Sequence, residues 1–303
     1  MSRPVSKKGF WADLPRPFFI LAPMADVTDA AFRIHITKCG KPDVLYTEFV
    51  SVDGLCSKGR DNLLRLLRYS EIERPIVAQF FGNKPNNFHT CAELANELGF
   101  DGIDINMGCP DKSVCKGGSG AGLIRNPELA KEIVDATIEG AGELPVAVKT
   151  RIGYNQIELE EWAGHLLETN PVALIFHMRT KKEMSKVPAH LDLLHVPVEM
   201  AKDKDILICA NGDIDSLDHG YKIAEETGID GIMMGRAVFG NPWVFNRERR
   251  GVVATLEEKF AAMLQHARIF EEVFPDGQKP FYVMRKHLMA YANGFPGAKE
   301  LRK

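Results

Sequence analysis

Short apolar segments alternate with amphipathic segments along most of the chain. In the amphipathic segments, such as residues 85–98 and 127–139, apolar residues recur at three- and four-residue spacing, which predicts helices. The apolar segments are rich in β-forming residues and have the length of buried strands; they occupy residues 18–22, 43–49, 75–81, 102–106, 145–150, 173–178, 206–211 and 231–235. The pattern therefore predicts eight βα units.

Eight βα units favour a closed (β/α)8 TIM barrel of the α/β class over an open doubly wound sheet. An open sheet would more often show Gly-x-Gly-x-x-Gly after its first strand, whereas this sequence has Ala22-Pro23-Met24. Beyond about residue 250 the strand pattern ends, and residues 256–274 and 280–294 predict two helices. We expect a catalytic barrel over residues 1–250 and a small all-helical domain over 251–303. The alternative is a helix pair that only caps the barrel.

The composition is that of an ordinary globular protein, with 45% hydrophobic and 26% charged residues among 303. The sequence contains neither a membrane-spanning apolar run nor the apolar block of a signal peptide, so we expect a cytoplasmic protein without a membrane partner. Its six cysteines include no Cys-x-x-Cys pair, which favours reduced thiols and argues against a metal site.

The formal net charge of −3 is unevenly distributed. Residues 247–303 carry 11 Lys and Arg against 7 Asp and Glu, whereas residues 1–246 carry 27 against 34. The basic tail permits local attraction to a nucleic acid, and the alternative is a solvated helical face.

Polar residues stand where five of the predicted strands end, which in a barrel of this type is where the site lies. These residues are Gln79, Asn106, Lys149, His177 and Asn211. The longest connection follows the strand that ends at Asn106 and runs through Cys109-Pro110 and a glycine-rich stretch at 116–122. Long loops are uncommon unless functional, so we expect Cys109 to face the mouth of the barrel; the alternative is a buried, inert thiol.

A phosphate site is predicted after the last two strands, where the loops of such barrels often bind anions through backbone N–H groups and a helix N-terminus. The relevant segments are Asn211-Gly212-Asp213 and Gly235-Arg236. Arg236 would supply a positive fork. Asp213 has the wrong charge for a phosphate and would orient the loop or accept from a ligand hydroxyl.

Several charged residues near the strand ends have more than one interpretation. Lys149 could offset charge on a redox ring, form a Schiff base, or pair with an acid. Arg151 lies on the same side of the strand and would extend a cationic rim. His177 could donate to a ligand or be a satisfied core residue. Glu48 could contact substrate, but we expect it to pair with a neighbouring cation.

These residues carry a family resemblance. Residues 103–110 (IDINMGCP), with Val114 and Gly120-Ala121, resemble the signature of the tRNA-dihydrouridine synthases, flavin enzymes that reduce a uridine of tRNA. The resemblance covers about residues 17–302, and further matching segments are 21–29, 77–79, 148–151, 177–180, 211–213, 235–236, 284–288 and 294–298.

The resemblance implies a tight, non-covalent FMN and assigns residues to it. It places Lys149 near the ring's N1 and O2, against the Schiff-base interpretation, and Gln79 at the isoalloxazine edge. The other implied cofactor contacts are Pro23, Met24, Ala25, His177, Asn211, Gly212, Asp213, Gly235 and Arg236. Cys109 matches the catalytic cysteine, and Asn106, Arg151 and Arg179 fall at substrate-binding positions.

The resemblance also implies the reaction. NADPH would reduce FMN, whose N5 would deliver hydride to C6 of uracil, while Cys109 gives a proton to C5. A thiol pKa of about 8.5 keeps the group mostly protonated near neutrality, although nearby cations would lower it. The uridine must leave its stack in tRNA, and basic groups of the helical domain, such as those at 285, 286, 299 and 302, are the expected source of backbone contacts.

The resemblance leaves the extent of the tRNA contact open, because family members generally continue through a further helical segment after the point reached at Lys303. We expect a monomer.

The alternatives to the assignment as a tRNA-dihydrouridine synthase are an FMN barrel that reduces a free pyrimidine, a Schiff-base lyase using Lys149, and a non-catalytic RNA-binding chaperone that would tolerate loss of Cys109.

Overall fold

Nine parallel strands build the central sheet of the computed structural model, which describes residues 3–301. The strands are β1 (Phe18–Leu21), β2 (Leu45–Tyr46), β3 (Val50–Ser51), β4 (Ile76–Phe81), β5 (Gly102–Met107), β6 (Val146–Arg151), β7 (Ala173–His177), β8 (Leu207–Asn211) and β9 (Gly231–Met234). Each of the eight predicted strands is present. The second, predicted over residues 43–49, contains only the short β2; β3 follows just beyond that range, and both pair with β4.

The sheet closes on itself. Its strand order is β1-β9-β8-β7-β6-β5-β4-β2, and the backbone N–H of Leu21 donates to the carbonyl of Val44 at 3.1 Å, which joins β1 to the chain just before β2. All the pairings are parallel, so the carboxyl ends of the strands meet at one face. The predicted (β/α)8 barrel is confirmed.

Helices surround the barrel, and N-cap side chains mark where some of them begin. The helices are α1 (Ala30–Gly40), α2 (Val52–Leu55), α3 (Arg60–Leu64), α4 (Pro85–Glu97), α5 (Lys112–Lys116), α6 (Pro127–Ala141), α7 (Leu159–Leu167), α8 (His195–Ala201), α9 (Leu217–Thr227), α10 (Leu256–Val273), α11 (Arg285–Tyr291) and α12 (Ala298–Leu301). The Asn126 side chain caps α6 at its N-terminus, and Thr255 forms a capping box with Glu258 at the start of α10.

Two apolar layers hold the barrel together. Inside it, alternate strand residues such as Ile20, Val77, Ile175 and Met233 are completely buried. Outside it, the other face of each strand packs on the apolar faces of the helices. Trp11, which precedes β1 in the sequence, packs edge-on against Phe18 at the opposite end of the barrel from the site, a contact that the sequence pattern does not predict.

The C-terminal helices pack on the first barrel helix. A cluster formed by Ala31 of α1 with Ile269, Phe270 and Met284 is buried between them. The residues from 251 onward are helical as predicted, while their status as a separate domain stays a prediction. Within residues 3–301, none of the helices is both long and apolar enough to cross a membrane.

Candidate active site

A cavity of about 600 Å³ opens at the carboxyl ends of the barrel strands. It brings together thirteen of the fifteen residues that the sequence singles out: Pro23, Met24, Asn106, Cys109, Lys149, Arg151, His177, Arg179, Asn211, Gly212, Asp213, Gly235 and Arg236. The exceptions are Ala25, which is exposed outside the lining, and Gln79, which is completely buried beneath it. The polar residues at the ends of the predicted strands therefore indicate the position of the cavity correctly.

Gln79 lies inside a buried chain of polar side chains. Its amide nitrogen donates to Asp104 Oδ2 at 2.7 Å, and its amide oxygen accepts from Asn106 Nδ2 at 3.1 Å. Burial raises the pKa of Asp104 to about 7. Both polar ends of the Gln79 amide are thus used by protein groups, and its contact with a flavin stays a prediction.

The loop after β5 is held by Asn106. Its Oδ1 accepts the backbone N–H groups of Gly108 at 3.1 Å and Cys109 at 2.9 Å, in the manner of a turn nucleated by asparagine. The Cys109 carbonyl in turn accepts the N–H of Ala121 at 3.0 Å, which ties the two ends of the long loop together. Cys109 is half-buried and borders the cavity, as predicted from its position.

Burial raises the pKa of the Cys109 thiol, and its carboxylate neighbour Asp111 and the Cys115 sulfur raise it further. The hydrogen bond from the Asp111 backbone N–H and the charge of the Arg151 guanidinium lower this pKa, but they do not outweigh burial. The nearby cations therefore do not convert Cys109 to a thiolate at neutral pH. The group is suited to giving a proton.

Lys149 and Asn211 line the cavity at the ends of β6 and β8, and Lys149 is in register with Asn106 of the neighbouring β5. The ammonium of Lys149 donates to Asn211 Oδ1 at 3.1 Å, and Asn211 Nδ2 donates to the carbonyl of Met233 at 2.8 Å. Burial lowers the pKa of Lys149 to about 8, and the charge of Arg151 adds to this effect. Lys149 has no carboxylate bonded to it in residues 3–301, which leaves its charge available to an anionic group.

The cationic rim predicted around Lys149 is present, but its arginines donate hydrogen bonds to backbone carbonyls of the protein. Arg151 donates to the carbonyls of Gly108, Thr180 and Met184 at 2.8–3.0 Å. Arg179 donates to the carbonyl of Val187 at 2.6 Å. Both arginines thus hold loops as well as lining the cavity.

His177 is kept neutral by its surroundings. Burial lowers its pKa well below the usual value, and Lys149 is the next largest cause. Its Nε2 lies 3.2 Å from an Arg179 guanidinium nitrogen, so Nε2 is the acceptor and Nδ1 carries the proton. The imidazole is therefore positioned by Arg179.

Asp213 joins the two loops expected to bind phosphate. Its carboxylate accepts from both Arg179 and Arg236, and also from the Ala189 N–H at 2.9 Å. The hydrogen bond that Arg179 donates to this carboxylate lowers the pKa of Asp213. The Asp213 carboxylate is thus used by protein groups, and its contact with a cofactor stays a prediction; Arg236 remains largely exposed at the rim.

Glu48 pairs with a cation, as expected: its Oε2 lies 3.8 Å from the Lys279 ammonium. The sequence assigns no role to the other lining residues, which are Ala22, Phe49, Gly108, Pro110, Ser185, Ile214, Asp215, Met233 and Ala237. Phe49 and Met233 follow the strand pattern and could have been found from it, whereas Ser185 lies in a loop that no pattern distinguishes. Among residues 3–301, His, Cys, Asp and Glu form no cluster of three or more that could hold a metal ion.

The fold and site define a (β/α)8-barrel protein with a thiol and a buried cationic wall at the carboxyl ends of its strands. The sequence model of the family described as dihydrouridine synthase (Dus) matches residues 20–303. This chain therefore belongs to the dihydrouridine synthase family, and it is an oxidoreductase acting on CH–CH groups.

Relatives of this family cover nearly the whole chain. A probable tRNA-dihydrouridine synthase of Staphylococcus aureus (strain MRSA252) is 42% identical over 301 residues, which span 98% of this chain and 90% of the relative. The probable tRNA-dihydrouridine synthase 2 of Bacillus subtilis (strain 168) is also 42% identical, over 97% of this chain and 91% of the relative.

Solved structures share the barrel at much lower identity. Histamine dehydrogenase from Rhizobium sp. 4-9 has a TM-score of 0.59 and 12% identity, covering 83% of this chain and 48% of its own. Morphinone reductase has a TM-score of 0.51 and 13% identity, covering 77% and 85%. These similarities support the fold.

Proposed function

We propose that this chain reduces a uridine of tRNA to dihydrouridine, using FMN as the bound flavin and NADPH as the reductant. The observation that carries the proposal is the family match over residues 20–303, together with a cavity lined by both Cys109 and the half-buried Lys149. The tRNA substrate is also that of the relatives named above.

The residues of the cavity fit a flavin mononucleotide. Its volume of about 600 Å³ lies within the range of about 300–1,000 Å³ typical of cofactor sites. At its rim, the backbone N–H groups of Gly235 and Arg236 donate to no protein acceptor within residues 3–301, and they would hold the phosphate beside the Arg236 side chain. Pro23 and Met24 would form the wall of the ring site, and Gly212 and Asn211 would border the ribityl chain.

Three residues of the protein would have separate roles beside a bound flavin. A bound flavin would supply the hydride for the reduction of uracil at C6. Lys149 would offset negative charge on the flavin ring through its ammonium. Cys109 holds the proton that C5 receives, because burial keeps its thiol protonated, and the thiolate formed must be reprotonated before the next turnover. Asn106 positions the loop that carries this thiol.

The tRNA would reach the site from the carboxyl face of the barrel. A base flipped out of its stack costs a few kcal/mol, which contacts to the RNA backbone must offset. Exposed Arg285, Lys286 and Lys299 of the C-terminal helices are candidates for those contacts, and Arg302 lies outside the described residues. We further propose that the enzyme is a monomer in the cytoplasm and needs no metal.

The decisive experiment combines the purified protein with tRNA from a strain that lacks dihydrouridine. We expect a yellow protein whose released flavin is FMN, and NADPH-dependent formation of dihydrouridine detected by mass spectrometry at a defined position. A free-pyrimidine reductase would instead turn over uracil or uridine in place of tRNA. A colourless protein trapped by borohydride would identify a Schiff-base lyase and overturn the proposal.

A further inference from the structure

Lys279 joins the C-terminal helical part to two carboxylates of the barrel. It lies in the segment between α10 and α11, and its ammonium donates to Asp29 Oδ2 at 2.8 Å and lies 3.8 Å from Glu48 Oε2. The Lys279 side chain is 15% exposed, and those of Asp29 and Glu48 are 5% exposed each. Buried carboxylates need a compensating cation, and Lys279 supplies it.

The electrostatics of the three groups agree with this pairing. Burial disfavours the charged form of Lys279, but the charges of Asp29 and Glu48 outweigh burial and raise the pKa of Lys279. Burial raises the pKa of Glu48, and Lys279 is the largest of the influences that oppose it. Removing the ammonium would therefore leave Glu48 either protonated or uncompensated.

The second oxygen of Glu48 holds the turn between β1 and α1. Glu48 Oε1 accepts the backbone N–H of Asp26 at 2.5 Å. Asp26 has φ 57°, a left-handed conformation that costs a non-glycine residue about 1–2 kcal/mol and persists only where neighbouring groups enforce it. Asp29, the other partner of Lys279, caps α1 by accepting the Phe32 N–H at 2.9 Å. The turn is thus held at both of its acidic residues.

The same turn forms a wall of the cavity. Pro23 and Met24 line the cavity, and Met24 is tied into the turn because its N–H donates to Thr28 Oγ1 at 2.9 Å. A relaxation of Asp26 would therefore be passed on to Met24. A continuous series of contacts runs from Lys279 through Glu48 and Asp26 to the cavity.

We propose that Lys279 is a positioning residue: by bridging Asp29 and Glu48 it fixes the turn at residues 22–29, so that docking of the helical part sets the shape of the cavity wall. The consequence for cofactor affinity depends on the proposed flavin function, whereas the consequence for the turn itself does not.

Amide hydrogen exchange tests the turn without any cofactor. In the full chain carrying Lys279→Met, we expect the Asp26 amide to exchange about tenfold faster than in the wild type, because its acceptor loses its compensating charge. Lys279→Arg should restore slow exchange, since it keeps the charge. The matched control is Lys259→Met, a lysine of α10 that has no ion pair within residues 3–301 and should leave the exchange unchanged. Equal Asp26 exchange in Lys279→Met and the wild type would overturn the proposal.

Flavin release provides the second measurement. We expect Lys279→Met to release flavin about tenfold faster than the wild type. In the Glu48→Gln background, Lys279→Met should accelerate release only about threefold relative to Glu48→Gln alone, because no uncompensated glutamate then remains. If Lys279→Met folds poorly, two milder variants keep the test valid. Lys279→Arg retains the positive charge, and Glu48→Gln retains the acceptor oxygen.

The two hypotheses fail in different ways. A flavin-loaded, active wild type together with unaltered release from Lys279→Met would refute the positioning role and leave the proposed function intact. A wild type that neither binds flavin nor forms dihydrouridine would refute the function, while the Asp26 exchange rates would still decide the role of Lys279.

Discussion

Asn106 accepts the Cys109 N–H at 2.9 Å with its oxygen and donates to Gln79 Oε1 at 3.1 Å with its nitrogen. The Asn106 amide can satisfy both contacts in one orientation only. Asp104 Oδ2 accepts from the Gln79 nitrogen, which leaves the Gln79 oxygen facing the Asn106 nitrogen. The position of the thiol loop is thus determined from inside the barrel.

Replacing Asn106 should misplace Cys109 without unfolding the barrel. We expect Asn106→Ala to lower kcat for dihydrouridine formation by about 10²-fold, since small displacements of a reacting group have effects of this size. The control is Thr255→Ala, which removes the N-cap of α10, a residue outside the cavity lining, and should cost only about 1 kcal/mol of stability. If kcat of Asn106→Ala equalled that of the Thr255→Ala control, the positioning role of Asn106 would be wrong.

Cys109 is expected to matter for turnover and not for flavin binding. Cys109→Ala should retain the yellow colour and lose about 10²–10⁴-fold in kcat, the usual contribution of a general acid. Cys56→Ser, at an exposed cysteine, serves as the control and should keep wild-type kcat. Because the protonated thiol is the active form and burial raises its pKa, activity should be present at neutral pH and lost as the pH rises through the thiol pKa. Wild-type turnover by Cys109→Ala would refute the assignment.

The barrel is predictable from the sequence because its strands are buried on both faces and therefore form continuous apolar segments, such as residues 102–106 and 173–178. The site follows because polar residues at strand ends share one rim. The sequence does not indicate that Gln79 is used internally by Asp104, since this depends on cross-strand register. Nor does it indicate that Lys279 reaches Glu48, because that contact joins segments more than two hundred residues apart.

Flavin binding should be linked to a proton at Lys149. Burial lowers the pKa of Lys149 to about 8 in the free protein, so the lysine is partly neutral above that pH. The ring of a reduced flavin is anionic and favours the charged ammonium, so binding of reduced FMN must take up a proton, and its affinity weakens as the pH rises above about 8. Calorimetry in buffers of different ionisation enthalpy should show net proton uptake at pH 8.5 and little at pH 6.5. The uptake should disappear in Lys149→Met. Uptake that persists in this variant would assign the proton to another group.

The salt dependence of tRNA binding tests the helical part. Neutralising Arg285, Lys286, Lys299 and Arg302 with glutamine should weaken binding, and the slope of log K against log salt should fall by about 0.7–0.9 for each RNA phosphate that these side chains neutralise in the wild type. The control replaces the exposed lysines 202, 204 and 222 of the barrel, and it should leave the slope unchanged. An unchanged slope in the four-residue variant would remove these residues from the interface.

Three buried histidines make the packing of the helical part on the barrel sensitive to acid. His35 of α1 stacks on His266 of α10 with ring centroids 4.9 Å apart, and His266 contacts His287 of α11 at 4.8 Å. Burial lowers the pKa of His35 and His287 to about 4 and that of His266 to about 2. The unfolded chain therefore binds protons below about pH 6.5 that the folded chain does not, and stability is lost as the pH falls from 6.5 toward 4.

The expected loss between pH 7 and pH 5 is about 2 kcal/mol for each histidine. Both ring nitrogens of His266 lack a hydrogen-bond partner within residues 3–301, so His266→Phe should keep the ring packing and remove about one third of this pH dependence. Urea unfolding at the two pH values measures it. His195→Phe, at an exposed histidine, should leave the difference between pH 7 and pH 5 unchanged. Parallel pH profiles for the wild type and His266→Phe would show that this histidine is protonated in the folded chain, contrary to its burial between the barrel and the C-terminal helices.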